Sequence, residues 1–165
     1  MDRYAFSAST RECLARAGWT PSYVAAELDA YVAALEAEGY EVHEAARAFL
    51  RSFGGLLIQF PHARMKGYLD SVSTRADVAA ARTFTDTAEG WGVIVGAPVC
   101  LVGEVYGGYM GLAMDAAGRV FAGEGLLVVQ LGDSGADAIE GLCISREPVI
   151  IQDPSKDIWT VREMD

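Results

Sequence analysis

Two histidines, three cysteines and twenty-three carboxylates are what this 165-residue chain offers for chemistry. His43 falls where a helix is about to begin, and His62 follows Pro61 in a loop. Neither stands near a Ser, Cys or carboxylate in a nucleophile arrangement, and no G-x-S-x-G elbow occurs. Cys13, Cys100 and Cys143 are odd in number and far apart, form no C-x-x-C pair and lie at no zinc-ligand spacing from a histidine. They read as buried free thiols, in keeping with a reducing compartment. Glycines 103, 107, 108 and 111 look like a phosphate loop only in outline. A Walker loop needs a lysine after its last glycine, whereas Val102 to Asp115 contains no Lys or Arg and carries Glu104 and Asp115, which would repel an anion. These glycines read better as sites of bulges or close packing within strands. Glu36/Glu38 and Asp133/Asp137 lack the alternating ligands and distal Glu of a calcium loop, and fit helix caps and solvated faces. The expectation is a protein with no catalytic set, no metal and no cofactor.

Charge gives a more positive indication. Residues 1–75 hold nine acidic and eight basic side chains; residues 76–165 hold fourteen and five, so nearly all of the net −10 sits in the second part. Such a chain lacks the basic face that displaces counterions from phosphates, which argues against nucleic acid. It suits a basic protein partner, since complementary charge speeds encounter, although simple solubility also explains it. No apolar run approaches the roughly 20 residues that span a bilayer, so no membrane contact is expected. The start M-D-R-Y-A-F-S lacks the basic and apolar parts of a secretory signal, and the expected location is the cytoplasm.

The elements that must position these residues begin with helices. Ser7 or Ser9 caps the first, with Cys13, Leu14 and Ala17 inward and Gly18 as its stop. After G-W-T-P-S, Ser22 is expected to cap a second helix carrying Val24, Leu28, Tyr31, Val32 and Leu35 on one face, ended by Gly39. A third presents Val42, Ala45, Ala46, Phe49, Leu50 and Phe53 and stops at Gly54-Gly55. Strands follow at 56–60 and near 67–72, then a fourth helix over Asp77 to Glu89 with Val78, Ala81, Phe84 and Ala88 inward, and Trp91 beyond it. From Val93 the period shifts toward two, giving strands near 93–95, 99–105, 108–114, 119–123 and 126–130. D-A-A-G at 115–118 and G-E-G at 123–125 are turns, and Asp133 or Ser134 caps a last helix to Cys143. A β-like run at Val149 to Gln152 closes the pattern. Helices first and a meandering sheet afterwards predict an α+β fold, N-terminal helices on a mainly antiparallel sheet. One domain is expected over 1–147, with 148–165 as its C-terminal extension.

Ordered motifs run through most of this length: F-S before the first helix, A-G-W-T-P at 17–21, Gly39-Tyr40, and F-L-R-S-F-G-G-L at 49–56. Then come A-P-V-C-L-V-G-E at 97–104, L-A-M-D-A-A-G-R-V-F at 112–121 and L-G-D-S-G-A-D-A-I-E-G-L at 131–142. In this order and spacing the chain resembles the SUKH superfamily of bacterial immunity proteins, third subfamily. The resemblance implies an α+β fold without enzymatic activity, and a role in binding and neutralising a polymorphic toxin, often a nuclease or deaminase, encoded beside it. The tail beyond Pro148 does not match the family pattern; Trp159 and Glu163-Met164-Asp165 there are either extra partner surface or a structural extension.

Within the motifs, Trp19, Pro21, Gly54, Gly55, Gly103, Gly118 and Gly132 are expected to hold the fold rather than touch a partner. The expected partner surface is Glu104, Tyr106, Tyr109 and Glu124, where carboxylates and aromatic rings alternate with glycines. Asp115, Asp133 and Asp137 are expected to serve turns and a helix start. Charge reversal at Glu104 and Glu124 should then weaken association in a salt-dependent way. The alternative is a protein-binding or scaffold module of the same fold with no toxin partner. Self-association into a homo-oligomer stays open.

Overall fold

The computed structural model describes residues 4–156. Helix α1 (Ala8–Arg16) opens at Ser7, whose Oγ accepts from the backbone N–H of Thr10, and the chain leaves it through Ala17 and Gly18. Pro21 sits inside a turn closed by the Tyr23 N–H donating to the Thr20 carbonyl at 2.9 Å. Helix α2 (Leu28–Ala37) then starts five residues later than Ser22 would have set it; its N-cap is Glu27, with no side-chain bond, and Val24 is exposed. The intervening segment is pinned instead by the Ala25 N–H donating to the Arg51 carbonyl of α3 (Glu44–Phe53). Helix α3 carries the strongest apolar stripe, and buries Ala46, Phe49, Leu50 and Phe53 as the spacing predicts.

Seven antiparallel strands form one meander in chain order: β1 (Leu57–Pro61), β2 (Leu69–Ser73), β3 (Val99–Val105), β4 (Met110–Asp115), β5 (Val120–Glu124), β6 (Leu127–Gly132) and β7 (Val149–Gln152). The α+β expectation holds, with the sheet wholly antiparallel among the described residues. The helix expected over 77–89 is two, α4 (Ala76–Arg82) and α5 (Thr85–Val95), separated by Thr83 and Phe84 in extended conformation. β-branched Thr83 and Thr85 around Phe84 weaken a helix there, and Thr85 Oγ1 turns away to donate to the Glu38 carbonyl at 2.7 Å. Phe84 and Ala81, expected inward, are exposed. Residues 93–95, expected as a strand, are the last turn of α5, which ends on left-handed Gly96.

Helices cover both faces of the central strands, so every residue of β4 is buried. Gly111 and Met114 are three apart on β4 and point to opposite faces. Gly111 meets the Trp91 indole of α5, while Met114 lies with Phe49 and Phe53 of α3. Helix α6 (Gly135–Cys143) is capped by Ser134 Oγ, which accepts from the Asp137 N–H at 3.1 Å, and it packs along β6. Its approach is so close that a Cβ on Gly132 would run into the backbone of Ala138. Strand β7 adds to the outer edge of β6. Trp159 and Glu163–Asp165 lie outside the described residues.

Candidate functional site

Of the family-motif residues, Trp19, Gly54, Gly103 and Gly132 are buried, Gly118 is half-buried, and Pro21 and Gly55 are exposed. Trp19 is buried and stacks on Phe53 at 5.6 Å between centroids, with its Nε1 donating to the Ser52 carbonyl at 2.9 Å. Gly54 has no room for a side chain against the Leu50 backbone, nor Gly103 against that of Ser73 and Thr74; Gly55 faces the Tyr31 ring. Gly118 turns the β4–β5 hairpin at φ +93°. Asp115 is buried in that hairpin and accepts the Arg119 N–H at 2.9 Å and Arg119 Nε at 2.7 Å. Asp137 accepts from the Asp133 N–H at 3.0 Å and from Arg146 at 3.0 Å, which holds its carboxyl below the ordinary value. Asp115 thus serves a turn and Asp137 a helix start, as expected, whereas the Asp133 carboxylate accepts from Gln130 Nε2 at 2.9 Å and the helix cap is Ser134.

The histidines are also structural parts. His43 Nδ1 accepts from the Ala46 N–H at 3.1 Å and so caps α3, which leaves Nε2 as the donor to the Met114 carbonyl at 3.0 Å. His62 Nδ1 accepts from the backbone N–H groups of Arg64 and Met65, each at 3.0 Å. All three cysteines are free and buried, and burial pushes the Cys100 and Cys143 thiols up to about 12. No group of three or more His, Cys, Asp or Glu suited to a metal occurs among the described residues. Nor is any helix there long and apolar enough to cross a membrane.

Among the hollows in the surface of the described residues, three border residues singled out from the sequence. One of about 460 Å³ is walled by Tyr4, Phe49, Phe53 and Met114 and contains no carboxylate or histidine. A second, of about 390 Å³, lies between Tyr40, His43 and the 115–119 turn. Its Asp115–Arg119 pair and His43 already have the partners given above. Burial raises the Tyr40 phenol to about 12 against the opposing pull of the nearby Thr85 side chain, and its hydroxyl makes no hydrogen bond of good geometry among the described residues.

The third, of about 320 Å³, gathers Glu104, Tyr109 and Glu124. Its back wall is Trp91, 3% exposed, whose Nε1 donates to the Gly125 carbonyl at 2.9 Å. Its floor is the in-register pair Gly111 and Gly123; a Cβ on Gly111 would lie 2.6 Å from the indole, so glycine is what lets α5 sit on the sheet. Phe84, 81% exposed, and Tyr109, 66% exposed, stand at the rim with Glu124. Glu104 differs from the surface carboxylate the sequence suggested: it is 7% exposed and its Oε2 accepts from Arg82 at 3.2 Å. A bulge at Val102 makes this placement. Leu101 pairs with Ala113 and Glu104 with Gly111, so both face α5 although they are three residues apart.

Tyr106 does not join them. It is half-buried at φ +55° with Asp70 nearby, and burial raises its phenol above the ordinary value. Sequence reasoning missed Phe84, Arg82 and Trp91 as parts of this site; the T-F-T run at 83–85 was the available signal that Phe84 leaves the core.

The sequence model of the SUKH-3 immunity protein family matches residues 6–145. No curated protein and no solved structure matches the chain.

Proposed function

The chain belongs to the SUKH-3 immunity protein family, and from that premise we propose that it binds and neutralises a cognate toxin without catalysing a reaction. The observation that supports a binding surface is the concavity between α4, α5 and the β4–β5 strands, where two acids meet two exposed aromatic rings. Exposed aromatics beside a recess are what protein interfaces use as anchors. The acidic balance of the second part of the chain favours a basic toxin domain, such as a nuclease or deaminase with a groove for phosphates. On this reading the protein competes for that groove in the cytoplasm and itself contacts neither nucleic acid nor membrane.

The test is binding to the toxin domain encoded by the neighbouring gene, measured as association and dissociation rates at low and high salt. Tyr109→Ala should cost about 2 kcal/mol, mostly as faster dissociation. Glu124→Lys should slow association at low salt and matter less at high salt. Glu104 is no longer suited to charge reversal, because a lysine in its buried place would face Arg82; Glu104→Gln is the informative change. Rates unchanged by both Tyr109→Ala and Glu124→Lys, in folded protein, would remove this face from the interface.

A further inference from the structure

Glu104 is more than nine-tenths buried, yet among the described residues its carboxylate accepts one hydrogen bond, from Arg82 to Oε2 at 3.2 Å. A carboxylate has about four acceptor sites, and arginine normally pairs with it through two bonds at about 2.7–2.9 Å. The same fold shows what a completed pair looks like: Asp115 takes the Arg119 Nε at 2.7 Å and the Arg119 backbone N–H as well. Arg82, by contrast, is the last residue of α4, its side chain is 66% exposed, and it reaches Glu104 from the solvent side. Glu104, whose Oε1 takes no bond from a described residue, lines a recess together with glycines 108, 111 and 123. Phe84 and Tyr109 flank the entrance, and Glu124 adds a second negative charge there.

A buried carboxylate with open acceptor capacity, between exposed aromatic rings, matches the chemistry of a guanidinium. Its planar fork satisfies two carboxylate lone pairs while its faces lie against the rings, which an ammonium cannot do. We propose that this recess receives an arginine side chain of the toxin, which pairs with Glu104 and displaces Arg82, the protein's own occupant of the site in the unbound state. The inference rests on the toxin-binding reading and names the group recognised. Displacement adds selectivity: a neutral or poorly placed side chain gains too little to part Arg82 from Glu104.

The test needs no toxin. The full chain, ¹⁵N-labelled, is titrated with Nα-acetyl-arginine methylamide, its citrulline counterpart and its lysine counterpart, following the amides of Gly108, Gly111 and Gly123 and the Trp91 indole N–H. The arginine probe should give saturable shifts at these positions in the millimolar range. Arg82→Ala should bind it several-fold tighter, Glu104→Gln at least tenfold weaker, and citrulline should give no shifts. Lysine should bind several-fold more weakly than arginine. Arg82 lies on the rim, so its variant keeps the test decisive even if Glu104→Gln folds poorly. No saturable shifts in either wild type or Arg82→Ala, or equal binding of citrulline, would overturn the proposal. Toxin binding, read from the salt series, would then stand or fall separately.

Discussion

A single carboxylate shows how much one side chain contributes to joining the two ends of the sequence. Glu140 on α6 accepts from the Ser7 N–H at 3.0 Å, from Ser7 Oγ at 3.2 Å and from Thr10 Oγ1, so it ties α6 to the start of α1. Burial alone would raise its pKa, but the hydrogen bonds from Thr10 and Ser7, with Arg146 nearby, outweigh it and hold the value below the ordinary 4.5. A depressed folded value means stability that is present above the unfolded pKa and lost as pH falls through the folded one. Glu140→Gln should therefore unfold about 1–2 kcal/mol more easily in urea at neutral pH. The deficit should shrink as pH falls below 4.5, where the unfolded chain takes up this proton first, and vanish below the depressed folded value; a deficit as large in strong acid would contradict this role. At this scale Asp115 and Ser134 were legible in the sequence, because turn and cap chemistry is local. Neither His43 as a cap nor Glu104 as a buried acid was legible. His43 depends on a strand end seventy-one residues away, and Glu104 on a bulge that reverses the expected alternation.

Elements meet where side chains are missing. Helix α5 can lie on the sheet because Gly111 and Gly123 pair side by side under Trp91, which also reaches the Gly125 carbonyl. Gly123→Ala places a methyl into the indole, and the helix must lift or the ring must leave its rotamer. We expect a loss of about 1–3 kcal/mol, read from the urea midpoint, together with a shifted Trp91 indole signal. An unchanged midpoint would mean that α5 does not rest on this pair. Strands β3 to β6 and helices α1, α3 and α6 were readable from period and punctuation, since each carries its own apolar pattern and its own stop. The α4–α5 break was not, because alanines on both sides of Thr83–Phe84 keep a helical spacing through the break. The start of α2 was misplaced for a related reason. Ser22 has the side chain of a cap, but the segment after it is held by Arg51 of another helix.

The whole molecule combines a neutral helical beginning with a strongly acidic sheet half, and its aromatic recess lies in the acidic half. The family was legible from ordered motifs because those motifs are the turns, caps and close approaches the fold requires. The proposed partner surface was legible only in part: Glu104, Tyr109 and Glu124 line one hollow, while Tyr106 packs elsewhere and Phe84 and Arg82 enter from a helix break. A surface made by elements far apart in sequence leaves little local signal. The account's central claim is that this chain neutralises a toxin by binding it, and growth under co-expression tests that most directly. Bacteria expressing the toxin domain from the neighbouring gene should survive when this protein is co-produced. Survival should fall by at least tenfold when Tyr109→Ala and Glu124→Lys are combined in a variant that remains folded and equally abundant. A toxin that stays lethal beside the wild-type protein, or a neighbouring product with no toxicity to neutralise, would contradict the account.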